Sequence, residues 1–319
     1  MGGNAVWGFA SIIGIPCNLL VVIFIFRDRT VSNIILLNLA LADLLFLSGT
    51  PLVVMQSVNE DAIFGQTMCQ VFVTINGVNQ FASSVFMAVL ALDRYLAVCH
   101  PVKSTSIRTA RLALSACLLA WMVVVVEMIP LLTHAQLIDF SESENSVKSR
   151  CMLYWNSTDL TFDENFAFSR RFFTSYSFLL TFAVPMGLIF YCYGRIIVQM
   201  WVNHGRVMKT ISNLKRRTQR KVTLISVAIM LLYTVCWMPF WVLQWAIDCD
   251  AEWTFNTKIL VPVSVIAYAM QYVKSAVNPL FYILLVYPNR EKLNRSRSEQ
   301  NRRTTVQKLT TPPDTKPLL

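Results

Sequence analysis

The sequence is poor in charge. Asp, Glu, Lys and Arg make up only 14% of its 319 residues, where a soluble domain carries about a quarter. With 55% of the residues hydrophobic, the apolar excess must face something other than water. Histidine is scarcer still. His100, His134 and His204 fall in different loops, so no metal cluster is implied. There is no Gly-rich phosphate loop with a Lys, and no His-Glu-x-x-His. No paired catalytic groups occur at membrane depth. These absences argue against an enzyme, and no cofactor is implied. Repeated halves and pairs of broken helices are missing too, which argues against a transporter.

Long apolar runs are what the sequence has instead. Seven can be marked, at roughly 5–26, 33–56, 67–98, 109–132, 172–200, 220–247 and 257–285, each near the ~20 residues that span a membrane. In hydrocarbon the backbone must satisfy itself, so these runs are helices rather than open strands. The fold class expected is an all-α membrane protein, a seven-transmembrane helix bundle over residues 1–289. Residues 290–319 form a polar, basic, Pro/Thr-rich tail expected to be disordered.

The net charge of +10 would suit nucleic acid, but its distribution points elsewhere, and no nucleic acid partner is expected. Basic residues crowd the connection between the fifth and sixth helices (Arg206, Lys209, Lys215, Arg216, Arg217) and the tail (Arg290, Lys292, Arg295). Apart from Lys274 inside the seventh helix, only Lys148, Arg150, Arg170, Arg171 and Lys258 fall on the opposite side. Acids such as Asp139, Glu142, Glu144, Asp163 and Glu164 outnumber them there. The positive-inside bias then places the N-terminus outside and the C-terminus inside. The basic runs are topology determinants first, and are also suited to membrane lipid or an inner protein partner. Only Met1 to Asn4 precede the first run, which makes the first helix its own signal anchor and a truncated start an expectation. Met1-Gly2-Gly3 invites myristoylation, but Val6 stands where Ser or Thr is needed.

Cys17, Cys99, Cys117, Cys192 and Cys236 lie in or at the ends of helices and read as buried thiols. Cys69, Cys151 and Cys249 lie outside, where disulfides persist. A bridge from Cys69 to Cys151 would pin the long connection 133–171 over the bundle mouth, leaving Cys249 over. A connection that long is expected to be functional, here as a ligand lid. Asn156-Ser157-Thr158 on it is a glycosylation acceptor. Four charges lie at membrane depth, Asp43, Arg94, Glu127 and Lys274; such charges are costly and usually functional. Arg94 has a simpler reading as a snorkelling anchor.

Residues in order along the chain decide that point. They are Asn18; Leu39-Ala40-Leu41-Ala42-Asp43; Asp93-Arg94-Tyr95 with His100-Pro101; Trp121 and Pro130; Pro185 and Tyr193; Cys236-Trp237-Met238-Pro239; and Asn278-Pro279-Leu280-Phe281-Tyr282. Over residues 5–285 the chain resembles rhodopsin-like, G-protein-coupled receptors. Asn76-Gly77-Val78-Asn79-Gln80-Phe81, Asp93 to Val98, Cys236 to Phe240 and Trp155 look like the somatostatin receptors and their allatostatin-C relatives, with opioid receptors beyond these. The resemblance implies a plasma-membrane, multi-pass receptor for an extracellular peptide, coupling mainly to inhibitory heterotrimeric G proteins. It implies a ligand site at Asn76, Gln80, Trp237, Gln244 and Tyr272. Switch and coupling roles would fall to Asp93, Arg94, Tyr95, Tyr193, Tyr233, Pro239, Asn278, Pro279 and Tyr282. Pro185 and Pro239 would let their helices bend. Trp237 would sense ligand one turn below the pocket, and movement of the sixth helix would open an inner cleft.

The sequence departs from its relatives in places. Asn76 stands where somatostatin and opioid receptors have an aspartate that pairs with a basic group on the ligand. The ligand's basic residue is then absent or recognised elsewhere, and Glu127 is the candidate replacement. The other reading of Glu127 is a protonated carboxyl, or one that reaches a polar partner between helices. Lys274 stands where the family has a small polar residue that helps hold a sodium ion beside Asp43, Ser83, Ser275 and Asn278, with Asn79 as a further neighbour. Its amine is expected where the ion would sit, paired with Asp43, since neither stays charged alone in low dielectric; an uncharged Lys274 is the alternative. Tyr233 replaces a Phe, Gln219 offers no acid to restrain Arg94, and Asn289 replaces an aromatic anchor. Thr304, Thr305, Thr310 and Thr311 suit phosphorylation, and Asp314 to Leu319 resembles a dileucine signal. Arrestin and clathrin adaptors are the partners those tail features imply. The competing function is a non-signalling seven-helix peptide binder or scaffold, or a receptor for an unrelated peptide.

Overall fold

A computed structural model of the chain describes residues 2–26, 30–59, 65–143, 146–153, 164–206 and 213–280. The helices are α1 (Gly2–Phe26), α2 (Val31–Ser48), α3 (Thr50–Asn59), α4 (Gly65–Cys99), α5 (Pro101–Ile107), α6 (Ala110–His134), α7 (Glu164–Phe178), α8 (Val184–Arg206) and α9 (Asn213–Asp248). A last helix, α10, covers Thr257–Leu280. Two antiparallel strands, β1 (Ala135–Ser143) and β2 (Ser146–Leu153), follow α6. Seven helices among the described residues are long and apolar enough to cross a membrane. The sequence expectation of seven spans therefore holds, with ends that differ by a few residues. The strand pair is new: the connection after α6 was expected to be a lid, without strands.

Two spans are interrupted, and proline explains both. The second breaks between α2 and α3, where Gly49 ends α2 and Pro51 has no N–H to offer the Leu47 carbonyl four residues back. The Thr50 hydroxyl donates to that carbonyl instead, at 2.8 Å. In the fifth span a π-helical turn, Leu179–Ala183, joins α7 to α8 just before Pro185. Pro185 likewise leaves the Thr181 carbonyl without its helical donor. Here the replacement comes from another span, as the Tyr233 hydroxyl of α9 donates to Thr181 at 2.9 Å.

α4 is the spine of the bundle. One face packs Phe81 and Phe86 with Leu39 and Ala42 of α2 and Ala120 and Val124 of α6. Another packs Met87 and Ala91 with Ile189 of α8 and Tyr233 and Trp237 of α9. Trp7, Phe46, Tyr272 and Ala276 join α1, α2 and α10. Gly77 lets α6 come close, since a Cβ there would lie 2.5 Å from the Leu131 side chain. Outward faces remain apolar, with Phe9, Ile12, Leu118 and Val125 exposed, as lipid-facing helices require.

Candidate functional site

One end of the bundle carries the strand pair. Cys69, at the start of α4, is disulfide-bonded to Cys151 on β2, as the sequence led us to expect. Gln66 holds β1 as well: its amide donates to the Ala135 carbonyl at 2.7 Å and its carbonyl accepts from Leu137 N–H at 3.0 Å. On the far side Arg170 of α7 pairs with Asp248 at the end of α9 at 2.8 Å. Arg171 donates to the Asp248 carbonyl at 2.8 Å.

Below the strands lies a cavity of about 500 Å³. Asn76, Gln80, Gln244 and Tyr272, four of the residues implied by resemblance, line it. Trp237 does not; it is fully buried beneath the lining residue Phe240, ring to ring at 5.5 Å. Glu127 does not line it either. It lies one turn deeper on α6 than the lining residue Leu131, buried, with Oε2 unpartnered and Tyr176 as an ionisable neighbour. Because helical residues four apart share a face, Leu131 takes the place at the cavity that Glu127 was expected to fill.

The sequence reading missed Trp7, Thr174, Ser177, Trp241, Tyr268 and Gln271, which also line the cavity. Helical spacing could have found some of them. Trp241 lies four residues from Trp237 and three from Gln244, and Tyr268 lies four from Tyr272. Trp7 had no such signal, because the ligand was expected to meet only the third, fifth, sixth and seventh spans.

Deeper in the bundle, the structure brings together all six residues singled out around Lys274. The Lys274 ammonium, fully buried, donates to Asp43 Oδ1 at 3.2 Å, Asn79 Oδ1 at 3.2 Å and Ser83 Oγ at 2.6 Å. Asn278 donates to the other Asp43 oxygen at 2.7 Å, and Ser275 to Asn79 Oδ1 at 3.2 Å. Asn18 ties the cluster to α1 through the Ser275 carbonyl, at 3.1 Å. An ammonium has three donors, and all three are engaged. The residues do not fit a sodium ion, because the lysine nitrogen holds the oxygens that would coordinate it and would repel a second cation there.

At the opposite end, Asp93 is held by residues other than Arg94. Arg108 grips both its oxygens at 2.7 and 3.1 Å, and Ser32 donates at 2.7 Å. Arg94 stands 4.0 Å away, with its Nε unpartnered. Tyr95 meets His100 at 3.0 Å. Tyr193 is buried against α4 and α9. Pro239 lies inside α9, and Pro279 near the end of α10. Tyr282, Asn156 and the tail lie outside the described residues, as does the side chain of Gln219.

Comparison with known proteins agrees with this architecture. The 7 transmembrane receptor (rhodopsin family) profile matches residues 17–282. Among curated relatives, the somatostatin receptor type 2 of Mus musculus is 31% identical over 89% of this chain and 75% of its own length. The somatostatin receptor type 3 of Homo sapiens is 32% identical over 96% and 70%. The melanin-concentrating hormone receptor 1 of Sus scrofa is 30% identical over 91% and 79%. With the match running from within the first span to the end of the seventh, the chain belongs to the rhodopsin family of G-protein-coupled receptors and is a multi-pass membrane protein related to somatostatin and melanin-concentrating hormone receptors, not an enzyme.

Proposed function

We propose that this chain is a receptor for an extracellular, somatostatin- or allatostatin-C-like neuropeptide and that it signals through inhibitory heterotrimeric G proteins. The strand end faces outward in this reading, and the Asp93 end faces the cytoplasm. The observation that carries it is the 500 Å³ cavity under a disulfide-anchored strand pair, a concave site of ligand size. Support for a peptide comes from the hormones after which the similar receptors are named.

Ligand binding above Phe240 and Trp237 and G-protein binding beside Arg94 would favour the same displaced position of α9. The two events are then coupled in free energy. Arrestin and clathrin adaptors are further partners in this reading, through the tail.

A second reading is a non-signalling binder. The Lys274 cluster favours it, because it cross-links α2, α4 and α10 in the middle of the bundle. Expression in cells with a cyclic-AMP reporter separates the two. A looped neuropeptide that lowers forskolin-raised cyclic AMP supports the receptor. A peptide that binds the surface-expressed chain yet recruits no G protein supports the binder.

A further inference from the structure

Granted the peptide receptor proposed above, the cavity's own chemistry narrows what part of a ligand it takes. Among the described residues, none that line the cavity is Asp, Glu, Lys, Arg or His. Its polar groups are chiefly carboxamides, Asn76, Gln80, Gln244 and Gln271, drawn from α4, α9 and α10. Between them stand indole and phenol rings from Trp7, Trp241, Tyr268 and Tyr272. Among the described residues, the nearby charges are engaged or set apart. Arg170 and Arg171 are held by Asp248 and Asp250. Lys274 is engaged by Asp43, and Glu127 lies below the lining.

The wall also holds hydrogen-bonding groups that nothing satisfies. Gln271 Nε2, Trp241 Nε1, Trp7 Nε1 and Ser177 Oγ have no partner, and each of these residues is more than nine-tenths buried. Three of the four atoms are N–H groups that can only donate, and a hydroxyl can donate too. Buried polar atoms without partners are rare in folded proteins and call for an explanation. To meet acceptors on a bound molecule these side chains would have to rotate, since the four atoms are themselves buried. Asn76 adds an acceptor: its Nδ2 donates one N–H to the Phe72 carbonyl at 2.8 Å, which leaves its oxygen and its second N–H for a ligand.

We infer that the cavity recognises an uncharged, amide-bearing aromatic segment of the peptide, and that it rejects both an ammonium and a carboxylate. A carbonyl of such a segment answers the unpartnered donors of the wall, and its N–H answers Asn76. Among the described lining residues an ammonium would meet no counter-charge for the water it loses, and a carboxylate would meet no cation.

Three probes share an indole ring and differ only in the group beyond it: tryptamine carries a cation, indole-3-propionate an anion and N-acetyltryptamine an amide. Each is titrated against the purified full-length chain in lipid nanodiscs, with thermal unfolding as the readout. N-acetyltryptamine is expected to stabilise at a concentration roughly tenfold below either charged probe. Gln271→Leu and Ser177→Ala should weaken that effect, and Asn76→Asp should shift the preference towards tryptamine. Equal stabilisation by a charged probe, or none by any of the three, overturns the inference. The readout involves no G protein. Amide-selective binding alongside silence from every peptide would therefore overturn the receptor function and leave the cavity chemistry standing. A signalling peptide combined with a preference for tryptamine would do the reverse.

Discussion

The cavity and the Lys274 cluster lie in the same bundle, and amides and hydroxyls line both, but they differ in how far hydrogen bonds are satisfied. The cluster's charged pair is fully engaged, with only Asn79 Nδ2 and Asn278 Oδ1 left open. In the cluster the ammonium is bonded to three side chains from two neighbouring helices, and Asp43 receives both Lys274 and Asn278. In the cavity, four buried polar groups of the wall are left unpartnered. A region that satisfies its charged groups internally gains rigidity and has little left for a ligand. A region that leaves polar groups open carries a cost while empty, which a ligand can relieve. The cluster and the cavity are thus separated along the bundle axis, with the Trp237 and Phe240 rings between them.

The largest test of this contrast is to break the lock. Asp43→Asn leaves a fully buried ammonium without its counter-charge, at a cost of about 3–5 kcal/mol. The purified receptor should melt well below wild type and reach the cell surface poorly. Removing both partners, as Asp43→Asn with Lys274→Met, should recover most of the loss. A single variant as stable as wild type would mean that Lys274 carries no charge.

A smaller effect is expected at Tyr233. Its hydroxyl fastens α9 to the carbonyl that Pro185 leaves open in the π-helical turn. Tyr233→Phe leaves that buried carbonyl unpartnered, which costs about 1–3 kcal/mol in this arrangement of the helices. Ligand-independent recruitment of G protein should rise, by about tenfold if the bond is lost when α9 moves. Unchanged basal recruitment at equal surface expression would show that the bond survives the transition.

The smallest expected effect is none at all. With Lys274 at the centre of the cluster, exchanging sodium for an organic cation should leave agonist affinity unchanged. Lys274→Asn should make affinity fall as sodium rises. A sodium-induced fall in the wild-type chain would mean that the ammonium can leave its oxygens.

Much of this was legible in the sequence because it follows from solvation. Apolar runs of membrane-spanning length, separated by polar connections, leave few alternatives to a helical bundle, whatever the detailed packing. The Lys274 cluster was legible for a related reason. The resemblance places Asp43, Ser83, Ser275 and Asn278 around that position, and a charge at membrane depth needs a partner. The strand pair was hidden because the whole connection after α6 reads as a lid; the pairing itself is a local antiparallel hairpin, and Gln66, which fastens β1 to α4, lies far off in sequence. The grip of Arg108 on Asp93 was hidden too: it joins residues 15 apart across α5.

Glu127 and Tyr233 mark the boundary between the two kinds of knowledge. The sequence by itself determined that one is an acid at membrane depth and the other a phenol one helical turn from Trp237. Only the tertiary structure decided that Leu131, one turn nearer the cavity, leaves Glu127 below the lining. Only it decided that the phenol reaches the carbonyl freed by Pro185 on a different span. Composition and spacing govern which residues leave water. Which buried groups then meet depends on helix rotation and on close approaches such as that at Gly77, and these arise from packing between spans.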